Sequence, residues 1–233
     1  MAENSAEPAS SGPADAKGAR VWDLPVRLFH WALLAAVVTS VTTGLVGGLW
    51  QMDLHVVSGC VVLGLVLFRV LWGLVGGRHA RFRAFVKGPV TVIRYAADFL
   101  KGRARHTAGH NPLGGWSVVL LLLALAVQAG TGLFANDDIF VEGPLFKYAG
   151  KELSDRLTAW HQWVSNLVYG LVVLHVAAVV LHWTRGDNLV KPMITGRKPN
   201  LDPALGDGLP RLGWAAAALV VAAAPVAWIL WQW

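Results

Sequence analysis

Apolar residues along this chain gather into five long blocks separated by polar stretches. They run from about Val26 to Leu49, His55 to Val75, Leu113 to Phe134, Ala159 to Trp183 and Leu212 to Trp231. Each approaches the ~20 residues that an α-helix needs to cross a bilayer core. The pattern predicts an all-α, polytopic membrane bundle. The fifth block is rich in Ala and Val, contains Pro225 and carries no histidine. Ahead of the first block, residues 1–19 hold Ala, Ser, Pro and Glu without periodicity or an apolar core. They predict a disordered tail rather than a signal peptide.

Composition agrees with a membrane protein. Of 233 residues, 55% are hydrophobic and only 15% charged, too apolar for an ordinary soluble domain. The formal net charge of +6 is no nucleic-acid signal, because the basic residues collect in particular loops. Cys60, the single cysteine, allows neither an internal disulfide nor a CxxCH site, and reads as a core residue.

Lysine and arginine set the orientation. Lys17, Arg20 and Arg27 precede or open the first span. Arg78, Arg81, Arg83, Lys87, Arg94, Lys101, Arg103 and Arg105 follow the second, and Arg185, Lys191, Arg197, Lys198 and Arg211 follow the fourth. Only Lys147, Lys151 and Arg156 occupy the opposite side, among Asp53, Asp137, Asp138, Glu142, Glu152 and Asp155. Positive charge marks the cytoplasmic side, so the N-terminus is expected inside and the C-terminus outside. Trp31, Trp72, Trp116, Trp183 and Trp214 mark the inner ends of the spans. Trp50, Trp160, Trp163, Trp228, Trp231 and Trp233 mark the outer ends, as interfacial indoles do. The long inner loop after the second span interleaves Phe82, Phe85, Val86, Val90, Ile93 and Tyr95 with basic residues, which predicts an amphipathic surface segment.

The chemistry lies in the histidines. His161 and His175 are fourteen residues apart in the fourth span, roughly 21 Å and just under four turns, so they share a helix face at two depths. Ionisable groups at membrane depth are costly and usually functional. Topology puts His55 at the outer level with His161, and His30 at the inner level with His175. Each level then has two imidazoles from two helices, suited to the two axial positions of a haem iron inside a bundle. His79, His106 and His110 are expected to be solvated in the inner loop, and His182 to be interfacial. Gly44, Gly47, Gly48, Gly59, Gly64, Gly130, Gly132 and Gly170 remove bulk from the spans, either for a flat cofactor or for close helix packing. Arg69 lies fourteen residues after His55 at the inner level. It is placed either to pair with a haem propionate or to snorkel to the surface.

Several motifs resemble the prokaryotic cytochrome b561 family, which includes the membrane cytochrome b subunits of nickel–iron hydrogenases. They are Val21-Trp22-Asp23-Leu24-Pro25-Val26-Arg27-Leu28-Phe29-His30-Trp31, Gly109-His110-Asn111-Pro112-Leu113-Gly114-Gly115, the His161/His175 spacing, and the run from Asn188 to Lys198. The resemblance covers roughly residues 20–199. It implies a four-helix diheme core with His30 and His175 on the inner haem b and His55 and His161 on the outer. It also implies a quinone site near the inner haem, where Asn111 is either a lining residue or only a helix-start residue. The fifth span departs from this pattern. The expected organisation is a tail at 1–19, a diheme domain at 20–199, and a linker with a fifth helix at 200–233.

These features lead to one expectation: electron transfer across the bacterial inner membrane between the quinone pool and a periplasmic hydrogenase, dehydrogenase or c-type cytochrome. Two alternatives are a stand-alone enzyme passing electrons from a small molecule such as superoxide to quinone, and a non-redox membrane module such as a transporter. The acidic outer loop would repel superoxide and suits a basic protein.

Overall fold

A computed structural model describes residues 18–104, 107–199, 201–208 and 211–233. The expected tail lies outside them apart from Gly18 and Ala19, as does His106. Five helices are long and apolar enough to span a membrane: α1 (Leu24–Val46), α2 (Leu49–Val75), α5 (Pro112–Gly132), α6 (Phe146–Thr184) and α8 (Leu212–Gln232). At the end of the bundle where α1 begins and α2 finishes lie α3 (Phe82–Phe85), α4 (Pro89–Leu100) and α7 (Val190–Thr195). The only strands among the described residues are β1 (Ala19–Arg20) and β2 (Arg197–Lys198), which pair antiparallel.

Helix starts follow local chemistry. Asp23 caps α1 by accepting the Val26 amide at 2.8 Å, with Pro25 in the first turn. Asn111 caps α5 by accepting the Gly114 amide at 2.7 Å, ahead of Pro112. Side-chain acceptors at this position satisfy amides that have no intrahelical partner. Gly47 and Gly48, both at positive φ, join α1 to α2 in a two-residue turn, so α2 starts six residues earlier than the apolar block suggested. The longest helix differs most. α6 is 39 residues, bent at Gly150 (φ 70°), and begins outside the apolar block.

α1 packs on α2, α5 on α6, and α2 also on α5 and α8. One apolar core joins Phe29, Val62, Val66, Phe68, Trp72, Leu122, Leu125, Val164 and Val168, and it includes Ala218 and Ala222 of α8. The fifth helix is therefore packed into the bundle. Gly64 lets it approach: a Cβ there would lie 3.2 Å from Val226. Cys60 is buried in a second small cluster with Val226 and Ile229. α4 leaves Val90, Ile93 and Leu100 exposed along one face, as expected of an amphipathic surface helix.

At that same end of the bundle, the segment before α1 is tied to the segments that follow α7 and precede α8. The amides of Val21 and Trp22 donate to the Gly196 carbonyl at 2.9 and 3.2 Å, and the Asp207 amide donates to Arg20 at 2.7 Å. Asp23, nearly fully buried, also accepts the indole N–H of Trp72 at 3.0 Å.

Candidate functional site

His55 of α2 and His161 of α6 face one another, with ring centroids 6.0 Å apart and ring planes at 85°. A different neighbouring helix holds each ring, in the same way. Nδ1 of His55 lies 2.8 Å from the Ser40 carbonyl oxygen of α1. Nδ1 of His161 lies 2.9 Å from the Gln128 carbonyl oxygen of α5. A carbonyl only accepts, so the proton sits on Nδ1 in both rings and the lone pair on Nε2. One helical turn beyond each carbonyl is a glycine. A Cβ on Gly44 would come within 3.0 Å of the His55 ring, and one on Gly132 within 2.8 Å of His161 Cε1. The same carbonyl-and-glycine arrangement thus orients both imidazoles. The rings border a cavity of about 420 Å³, lined further by Val37, Val41, Gly59, Leu125 and Tyr169. The Gln128 side chain also reaches His161, its Nε2 lying 3.1 Å from the ring Nε2.

The second level, toward the start of α1, holds His30 of α1 and His175 of α6, near enough to interact electrostatically. His30 Nδ1 is buried without a hydrogen-bond partner. Arg69 of α2 is 2% exposed, which rules out snorkelling to the surface. Its guanidinium lies over the rings of Phe82 and Phe85, at 4.9 and 5.8 Å from their centroids. Neither terminal nitrogen has a hydrogen-bond partner. His110 departs from expectation. Its ring packs between Trp22 and Phe85, at centroid distances of 4.6 and 4.5 Å. Burial, reinforced by Arg69 and by His79, His175 and His30, pushes its pKa down to about 3, so the ring is neutral. The side chains that enclose it come from opposite ends of the sequence, and no local spacing signals that. His79 is also engaged, its Nε2 lying 2.9 Å from the Leu205 carbonyl oxygen.

Asn111 is the cap that local chemistry suggested, and it does more. Its Nδ2 lies 3.2 Å from His182 Nε2 at the inner end of α6. The other nitrogen of His182 faces Asp187 at 3.7 Å, and Asp187 pairs with Lys198 at 2.8 Å. Phe99 of α4 stacks on the His182 ring at 4.9 Å. Asp187 escaped the sequence reading, although an acid three residues past the last helical turn of a basic segment was a usable signal. Among the described residues no three His, Cys, Asp or Glu side chains converge on one point.

Residues 21–196 match the family model for prokaryotic cytochrome b561. A probable Ni/Fe-hydrogenase B-type cytochrome subunit of Cupriavidus necator is 24% identical over 214 residues, covering 77% of this chain and 86% of the relative. The corresponding probable subunit of Rhodobacter capsulatus is 24% identical over 216 residues, 76% and 80% of the two chains. That of Escherichia coli hydrogenase 1 is 22% identical over 209 residues, 76% and 88%. No solved structure matches the chain.

The histidine geometry fits the cofactor this family binds. Two metal–nitrogen bonds of roughly 2 Å, with the rings behind them, span about the centroid separation seen for His55 and His161. Nδ1–H donation to a carbonyl is the usual support of a metal-binding imidazole. Small residues open the space beside each ring. With five spanning helices and a family match over most of its length, this chain belongs to the prokaryotic cytochrome b561 family and is a multi-pass membrane cytochrome that binds b-type haem and serves electron transfer.

Proposed function

We propose that the protein moves electrons across the bacterial inner membrane, between a redox protein on the periplasmic side and the quinone pool on the cytoplasmic side. Two b haems occupy residues 20–199, one held by His55 and His161 and the other by His30 and His175. The N-terminal tail is cytoplasmic, the C-terminus periplasmic, and residues 200–233 add a linker and a fifth helix. The hydrogenase-linked names of the relatives favour a hydrogenase as partner, with a dehydrogenase or c-type cytochrome as the other classes. Acidic residues at the outer loop, Asp137, Asp138 and Glu142, favour a basic docking face on that partner and disfavour a small anion such as superoxide.

The observation that carries this reading is the outer pair, two imidazoles at 6.0 Å with both Nδ1 atoms committed to carbonyls. Haem b supplies a one-electron iron couple. The chain supplies the rest. The Ser40 and Gln128 carbonyls hold the protons on Nδ1 and would leave both Nε2 atoms as the haem ligands, with the Gln128 side-chain amide yielding its place at His161 Nε2 to the metal. Leu125, Val37 and Val41 keep the surroundings apolar. At the inner level Arg69 supplies a cation beside the second haem, and Asn111, held against His182, lines the quinone site.

The test is the haem content and reduced-minus-oxidised spectrum of the purified protein. Two haems per chain with b-type bands are expected, falling to one in His161→Ala or His55→Ala. Retention of two haems in the His55→Ala/His161→Ala double variant overturns the assignment.

A further inference from the structure

The inner end of the bundle contains a group of buried, unpartnered nitrogens that the haem-ligand geometry leaves unused. Both terminal nitrogens of Arg69 and Nδ1 of His110 are shut off from solvent without a hydrogen-bond partner. Such a donor costs about 1–3 kcal/mol when left unmade, and more when charged. The nearest acid does not satisfy them. Asp23 is close enough to interact with Arg69 electrostatically, but no hydrogen bond joins them, and its two oxygens accept the Val26 amide and the Trp72 indole instead.

The surroundings are built around these donors. The four-residue helix α3 sets Phe82 and Phe85 over the guanidinium. Two glycines admit those rings. A Cβ on Gly73 of α2 would collide with the Phe82 ring, and one on Gly115 of α5 would come 2.7 Å from the Phe85 carbonyl oxygen. Phe85 touches both residues, its ring tilted at 45° against His110 while facing Arg69. Trp22 closes the other side of His110. One cation and one neutral imidazole, set among aromatic rings, match a single carboxylate: Arg presents a planar fork to its two oxygens, and the imidazole in its Nδ1–H tautomer fits a remaining lone pair.

We propose that Arg69 and His110 together form an anion site for a propionate carboxylate of the inner haem, with α3 as its aromatic cover. This rests on the two-haem reading above and adds His110, a residue outside all the spans, as a direct contact to the cofactor. The carboxylate's charge is balanced by Arg69 and its ionised form is favoured by the His110 hydrogen bond, so the site sets the potential of one haem and not the other.

The experiment is a potentiometric titration of the purified full-length protein at pH 6, 7 and 8, following the α-band. The component missing from His161→Ala identifies the outer haem. If His161→Ala still shows two components, the ligand assignment fails independently of this proposal. In Arg69→Gln and His110→Ala the other component is expected to shift to lower potential. The expected size is about tenfold in its reduced-to-oxidised ratio, 59 mV for a one-electron couple. His110→Ala should also steepen the pH dependence of that component, because a less supported carboxylate takes up a proton on reduction. His110→Gln, which keeps a neutral donor, should restore it. Where Arg69→Gln fails to accumulate, the His110→Ala and His110→Gln pair decides alone. Unmoved potentials in both haems overturn the proposal, as does a shift confined to the outer haem.

Discussion

Gly132 and His161 are in contact in a way that leaves no room for a methyl group: a Cβ at Gly132 would sit 2.8 Å from Cε1 of the imidazole. Alanine is the better helix former by about 1 kcal/mol, yet overpacking at such a site costs about 1–3 kcal/mol. Gly132→Ala is therefore expected to push the ring off its Gln128 carbonyl and to lower outer-haem occupancy. Gly44→Ala, with a 3.0 Å approach, should do the same to His55 more mildly. Gly130→Ala, where nothing lies within 4 Å, should leave haem content unchanged. Haem-to-protein ratios of the three variants decide it.

Asp23 joins two helices through one carboxylate. Asp23→Ala leaves the buried Trp72 indole N–H without its acceptor and α1 without its cap. A loss of about 1–3 kcal/mol is expected from the orphaned donor alone. Denaturation in detergent measures it, with the Trp72 emission red-shifting before global unfolding. Unaltered stability would refute the role.

Asn111 has two jobs that substitution can separate. Asn111→Ser keeps a capping oxygen but is too short to reach His182. Thermal stability and haem content should stay near wild type while quinone reduction falls. Asn111→Leu should lose both. Equal quinone activity in wild type and Asn111→Ser would confine the residue to capping.

The outer loop is organised by Asp137, whose carboxylate accepts the amides of Ile139, Phe140 and Val141 at 3.0, 2.9 and 2.8 Å. The Val141 amide, then those of Ile139 and Phe140, hold its pKa below the usual carboxylate range. A depressed carboxyl stabilises the folded loop above its unfolded pKa of ~3.9, and that stabilisation is lost as pH falls through the lower folded value. Hydrogen exchange at Val141 should be flat from pH 7 to about 5, after correction for intrinsic rates, and accelerate below about 4. Asp137→Ala should exchange fast throughout.

Sidedness has its own check. With Cys60 replaced by alanine, a membrane-impermeant thiol reagent on intact cells should label Glu142→Cys and not Arg103→Cys. The reverse pattern would invert the topology.

The bundle and the facing of His55 and His161 were legible because membrane depth imposes a coarse rule, in which long apolar blocks become helices and an imidazole within one stands out. His55 and His161 needed only span direction and a count of turns. What escaped depends on contacts between distant segments. His110 sits in a polar stretch and is enclosed only because Trp22 and Phe85 arrive from elsewhere. The extra turns of α6 are a polar, helix-favouring run, Lys151 to Leu157, outside the apolar window, with ion pairs joining Lys151 to Asp155 and Arg156 to Glu152. The β1–β2 pairing joins Ala19–Arg20 to Arg197–Lys198, dipeptides whose sequence offers no strand signal.

That pairing also orders the protein's biosynthesis. Ala19 and Arg20 leave the ribosome ahead of every span, but their partners Arg197, Lys198 and Asp207 emerge only after four spans have been made. The inner mouth of the bundle, where Trp22 leans on His110, therefore stays unlatched through most of translation. It is fastened only when the segment leading to the last helix appears, so this end of the bundle is the last to close.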